Sequence, residues 1–97
     1  MITKPAAERA SQVLTEDGLV KRGGTEVSAL TLDGGTGATG ATAILDDSTD
    51  GTGTAKWTLR APQYGSASIT FSKPIPFADG CYATLTGTSE KLSVAYT

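Results

Sequence analysis

Histidine is missing from this 97-residue chain. With it go the commonest general base, the Ser-His and Cys-His nucleophilic pairs and the imidazole metal sites. Cysteine is nearly missing too. Cys81 stands alone, so no disulfide can close within the chain, and a thiolate zinc site would need several ligands from elsewhere. No apolar run approaches the length that crosses a bilayer. The opening MITKPAAERASQV holds no continuous apolar core, which speaks against a secretory signal or an anchor and for a chain made in the cytoplasm. Basic residues are few, 8 Lys and Arg against 10 Asp and Glu, and scattered, so the clustered positive charge of a nucleic-acid footprint is lacking. With no paired acid and nucleophile in view, an enzyme is the least favoured class, and no cofactor is expected.

What the chain does have is glycine, 12 residues of it, and abundant threonine beside a modest apolar fraction of 38%. Threonine favours strands because its branched Cβ packs on a pleated surface, and glycine supplies the tight turns between them. The length suits one domain, 11–97, behind an extended N-terminal arm, 1–10, in which Pro5 precedes AAERA. Ten residues without packing are marginal as a helix, and such a segment is either an arm ordered only against a neighbouring subunit or a frayed terminus.

Val27 to Leu59 organises the remainder as three strands joined by two glycine-rich turns. Val27 to Leu32 sets Ser28, Leu30 and Leu32 on one face against Val27, Ala29 and Thr31 on the other. Gly40 to Leu45 is short and rich in small residues, and Ala55 to Ala61 turns Ala55, Trp57, Leu59 and Ala61 one way and Lys56, Thr58 and Arg60 the other. Before this block, Gln12 to Thr15 and Leu19 to Arg22 read as a hairpin about Asp17-Gly18, a strong turn signal. After it, Ser66 to Lys73 alternates cleanly, with Ala67, Ile69 and Phe71 on one face. Pro74 and Pro76 place the following segment at a sheet edge or at a crossing between sheets. Cys81 to Thr86 and Lys91 to Tyr96 read as a terminal hairpin. Short strands at regular spacing with turn signals between them predict an all-β fold, an antiparallel β-sandwich of which the jelly roll is one form.

Two stretches invite a chemical reading. Gly35 to Gly40 matches G-x-G-x-x-G, but ATAILDD follows where a dinucleotide site needs a helix, so a flexible turn between strands is the better account. Asp46-Asp47-Ser48-Thr49-Asp50-Gly51 begins like a calcium loop, with oxygen ligands spaced before a glycine. The twelfth position, where a bidentate Glu should close it, is Trp57. An EF-hand is therefore excluded and a solvated hairpin tip is expected, with an irregular weak calcium site at Asp46, Asp47 and Asp50 as the alternative. Trp57, Phe71 and Phe77 are expected in the core, and Cys81 as a small apolar filler. Lys56 and Arg60 are expected on a solvated outer face, and Tyr64 and Tyr82 on a contact surface or half-buried.

From Gln12 to Thr97 the order of motifs resembles that of small virion proteins of tailed bacteriophages. The landmarks are Leu19 to Gly24 (LVKRGG) before a strand, Ala43 to Gly53 (AILDDSTDGTG), Ile75 to Tyr82 (IPFADGCY), and Leu85 to Thr88 (LTGT) with a closing Leu92 to Tyr96 strand. The chain departs from the pattern in its long Gly-Thr-Ala loop and in Cys81-Tyr82, where an aliphatic pair is usual. The resemblance implies a structural protein of the virion, a decoration or cement protein on the capsid. Its partners would be the major capsid protein or other virion proteins, and it would itself form a homo-oligomer, with a trimer favoured. Neither nucleic acid nor membrane is implied. A neck or tail component is the alternative within the virion, and a carbohydrate-binding or calcium-dependent adhesive module the alternative outside it. The contact residues expected on this reading are Lys4, Pro5 and Arg9 of the arm, with Thr36 and Tyr64 of the loops.

Overall fold

The computed structural model describes residues 10–97, so Lys4, Pro5 and Arg9 of the expected arm lie outside the described residues. Among those described, eight strands and no helix follow one another: β1 (Ala10–Leu14), β2 (Gly18–Arg22), β3 (Thr25–Asp33), β4 (Ala41–Asp47), β5 (Thr54–Ala61), β6 (Ser66–Phe77), β7 (Gly80–Thr86) and β8 (Lys91–Tyr96). They form two four-stranded sheets, ordered β1-β8-β3-β6 and β2-β7-β4-β5, with every pairing antiparallel. The chain changes sheet at every connection except that between β4 and β5. This is the strand order of a jelly roll, the double-sheet solution to covering the apolar faces of eight short strands.

The order corrects three local pairings suggested by the sequence. β1 does not pair with β2 but with β8, and β2 pairs with β7. β7 and β8 are not a hairpin either, since β7 lies between β2 and β4 while β8 lies between β1 and β3. In the central block only β4 and β5 pair, with β3 in the opposite sheet. A turn-forming dipeptide reverses the chain but does not say whether the returning strand lies beside its predecessor or above it.

The two inner faces are unequal in size and fit for that reason. One sheet contributes Val27, Leu30, Leu32, Leu92 and Val94, and the other contributes Ala41, Ala43, Leu45, Cys81 and Ala83, all buried. Large side chains thus stand over small ones, which lets the layers interdigitate without voids. Burying each of the leucines and valines contributes about 1.5–3 kcal/mol. Val27 and Leu30 both face inward because the β3 register with β8 slips between Val27 and Ala29, adding one residue and reversing the alternation. Phe77 is fully buried, whereas Trp57 and Phe71 are half-buried and meet edge to face at 4.9 Å along the side where β5 and β6 run. Pro74 and Pro76 do lie on an edge strand, and the β6 ladder leaves Phe71 to Pro74 unpaired between Thr70 and Ile75.

The glycine run between β3 and β4 is a packed corner and not a flexible loop. A Cβ on Gly34 would stand 1.7 Å from the Pro62 carbonyl oxygen, and one on Gly35, at φ 69°, would stand 2.0 Å from the Thr88 oxygen. The Gly34 N–H donates to the Gly65 carbonyl (2.8 Å) and the Thr36 N–H to the Thr88 carbonyl (2.9 Å), so the β3–β4, β5–β6 and β7–β8 connections form one block. Gly34→Ala is expected to destabilise the fold by about 1–3 kcal/mol through this backbone clash, as measured by urea unfolding, whereas Gly24→Ala, with open space around it, is expected to change stability little.

Candidate functional site: the loop end around Tyr64

Pro62, Gln63, Tyr64 and Gly65 make the β5–β6 turn, closed by the Gly65 N–H donating to the Pro62 carbonyl at 3.0 Å. Tyr64 occupies its third position with φ 60°, a conformation that glycine adopts freely and that costs a side-chain-bearing residue about 1–2 kcal/mol. The tyrosine is nevertheless 76% exposed, so no burial in the chain itself offsets that strain. Its N–H donates to the Gly35 carbonyl (2.9 Å), and Gln63 Nε2 donates to the Thr36 carbonyl (2.9 Å). The two loop residues expected at a contact surface, Thr36 and Tyr64, are therefore brought together at one end of the sandwich.

Thr88 and Ser89 of the β7–β8 connection join them, Ser89 also with a positive φ of 59°. Sequence reasoning passed over this pair, because Gly87 to Glu90 reads as an ordinary turn. Thr36, Thr39, Gln63, Tyr64, Thr88 and Ser89 are exposed and uncharged, while exposed Asp33 and Lys91 stand at the strand ends of the same connections and exposed Glu16 and Asp17 lie in the neighbouring β1–β2 turn. The result is a stiff, hydroxyl-rich platform with one aromatic ring standing on it.

At the opposite end, the acidic turn does not converge on a cation. Asp47 accepts backbone N–H groups from Asp79 (2.7 Å), Ala78 (3.1 Å) and Gly80 (3.4 Å), which ties the β6–β7 turn to the end of β4. The Ala78 and Asp79 donors hold its pKa below the ordinary carboxylate value. Asp50 Oδ1 accepts from the Thr52 hydroxyl (2.6 Å) and N–H (3.1 Å), and the hydroxyl is the larger cause of its lowered pKa. Ser48 Oγ accepts from the Gly51 N–H at 2.9 Å. Asp46 is buried with one oxygen, Oδ1, unpartnered, and burial raises its pKa, with the charge of Asp50 adding to the effect. Among the described residues no three His, Cys, Asp or Glu side chains group as a metal site.

Two other expectations are resolved beside this end. Cys81 is fully buried, and its thiol is pushed up to about 12 by burial, then by the charges of Asp46 and Asp47, so it carries no reactive thiolate at neutral pH. Lys56 is exposed but not idle. Its Nζ donates to the Pro76 carbonyl at 2.7 Å and lies 5.6 Å from the centre of the Phe77 ring.

Neighbouring carboxylates with opposite shifts give opposite pH dependences. Asp47, lowered, stabilises the fold above the ordinary carboxylate range, and that contribution is lost as the pH falls through its depressed folded value. Asp46, raised, costs stability while ionised at neutral pH, and the cost disappears as the pH falls through its elevated folded value. Asp46→Asn is expected to raise the melting temperature at pH 7, with the gain shrinking on acidification. Asp47→Asn is expected to lower it at pH 7, with the deficit shrinking only below the ordinary carboxylate range. Thermal melts of the three proteins across an acid series check both signs.

No known protein family matches the sequence, and no curated protein matches it. Among solved structures, this chain is similar to one described under the words "Bacillus endospore appendages form a novel family of disulfide-linked pili". The similarity covers 92% of this chain and 83% of that one, with 20% identity and a TM-score of 0.48.

Proposed function

We propose that this chain is a non-enzymatic structural module that grips a larger protein assembly through the loop end carrying Tyr64. The assembly is the virion of a tailed bacteriophage, where the chain sits on the head as a decoration or cement protein after synthesis in the host cytoplasm. The observation that carries the binding end is Tyr64 itself, an exposed aromatic kept in a backbone conformation that disfavours it. The hydrogen bonds fix the turn but would do so equally for glycine, so a side chain kept there with no burial of its own is one needed outward. Tyrosine among small hydroxyl residues is also the composition that binding loops favour, since the ring gives contact area at low entropy cost and the hydroxyls adapt their hydrogen bonds. Hydrogen bonds already order these loops, so little freedom is lost on docking. The phage assignment is supported by the motif order from Gln12 to Thr97 together with the eight-stranded sandwich. Binding only the assembled shell would stabilise it by mass action.

The test is cosedimentation of the purified chain with assembled empty heads and, separately, with tails. It is expected to pellet with heads. Tyr64→Gly relieves the φ strain, so its melting temperature is expected to equal or exceed the parent's while head binding weakens about tenfold or more. Pelleting with tails alone, with neither particle, or equally well after the substitution counts against the proposal.

A further inference from the structure

Among the described residues each sheet has two edge strands, β1 and β6 in one and β2 and β5 in the other. An unpaired edge offers its N–H and C=O groups to any extended chain, and proteins blunt such edges with charge, proline or bulges. Three of these edges are blunted. β6 carries Lys73, Pro74 and Pro76 and a break in its ladder. β5 carries Lys56 and Arg60. β2 carries Lys21 and Arg22, with a register slip between Leu19 and Lys21. β1, ASQVL, has no charge, no proline and an unbroken register. Its Val13 is 61% exposed, one of two large apolar side chains that the described residues leave in solvent. Beside it lies a shallow depression of about 120 Å³ to which Ser11, Ala29, Thr31, Ser93 and Ala95 contribute.

We infer that β1 is a pairing edge for the β1 of a second copy, laid antiparallel about a two-fold axis through Gln12, so that two four-stranded sheets become one continuous sheet. Gln12 then faces Gln12 of the second copy, and Ser11 faces Val13 of the second copy. A neutral strand meets its own image without like charges opposed, whereas β2 or β5 paired with itself would set Lys and Arg close to Lys and Arg. Nothing charged along β1 selects a different partner. The two Val13 side chains land beside the small-residue depressions and leave solvent together. A two-fold pair takes the place of the trimer that the phage resemblance implies. It uses a strand edge and not the Tyr64 loops, so it holds whether or not the chain binds particles.

Sedimentation velocity of the whole chain over a concentration series tests this. A reversible dimer is expected. Gln12→Lys and Gln12→Glu are each expected to weaken it about tenfold or more, and an equal mixture of the two is expected to restore it, because Lys then faces Glu across the axis. Val13→Lys, at an exposed position that the fold tolerates, is expected to weaken it as well. A parent chain that is monomeric throughout or trimeric overturns the inference, as does a dimer that none of these substitutions moves.

Discussion

Backbone lies directly against backbone at Gly34 and Gly35, and the arrangement of the whole loop end depends on that contact. In a jelly roll most connections cross from one sheet to the other, so neighbouring connections have no strand pairing of their own to align them. Here the missing side chains let the β3–β4 segment press between Pro62 on one side and Thr88 on the other, and hydrogen bonds from Gly34, Thr36 and Tyr64 then join the three connections. The block over-determines the β5–β6 turn. Tyr64 is held by its own N–H and flanked by Gly65, which donates to Pro62 and accepts from Gly34, so the turn cannot relax without breaking its neighbours' bonds. Strain of about 1–2 kcal/mol persists because removing it would cost several hydrogen bonds.

The other end solves the same problem by a different route. There a carboxylate joins β4–β5 to β6–β7, alongside the Ser48 N–H that donates to the Gly80 carbonyl at 3.1 Å. Asp47 collects the N–H groups of three successive residues at the start of β7, which a neutral acceptor would do less strongly. Its neighbour Asp46, identical in chemistry, is turned into a dry setting with one oxygen unpartnered. Adjacent aspartates thus pull stability in opposite directions, and the difference lies wholly in what faces each one.

That contrast shows where sequence reasoning stops. The eight strands were legible, the longer ones from alternation and β1 and β2 from the turn signal between them, and the edge position of β6 followed from Pro74 and Pro76. Pairing was not legible, because alternation names the buried face and not the neighbour. Only the β4–β5 hairpin has the partner that adjacency suggests. The slip in β3 hid the inward turn of Leu30 and Leu32 beside Val27, as an added residue leaves no mark on composition. Thr36 and Tyr64 were legible as loop residues, but their meeting was not, for it depends on glycines whose spacing suggests flexibility in sequence and proves to be close packing in space. The acidic run looked like one ligand set because its oxygens are regularly spaced, yet a β-strand end sends successive side chains apart.

Long-range pairing also constrains when the Tyr64 end is complete. β1 lies beside β8, so the first and last described strands complete the same sheet, and β3 lies between β8 and β6. Only the β4–β5 hairpin can form from local contacts, and every other ladder requires a long loop to close first. The Tyr64 end is assembled from three separate connections, each anchored in a sheet that is finished only when β8 takes its place between β1 and β3. Before that point Gly35 and Thr36 lack the Thr88 carbonyl they lock against, and the block is held only by the bonds between the β3–β4 and β5–β6 connections. A partner that recognises this end therefore reads the completed fold, and discriminates against partly folded chains without any contact devoted to doing so.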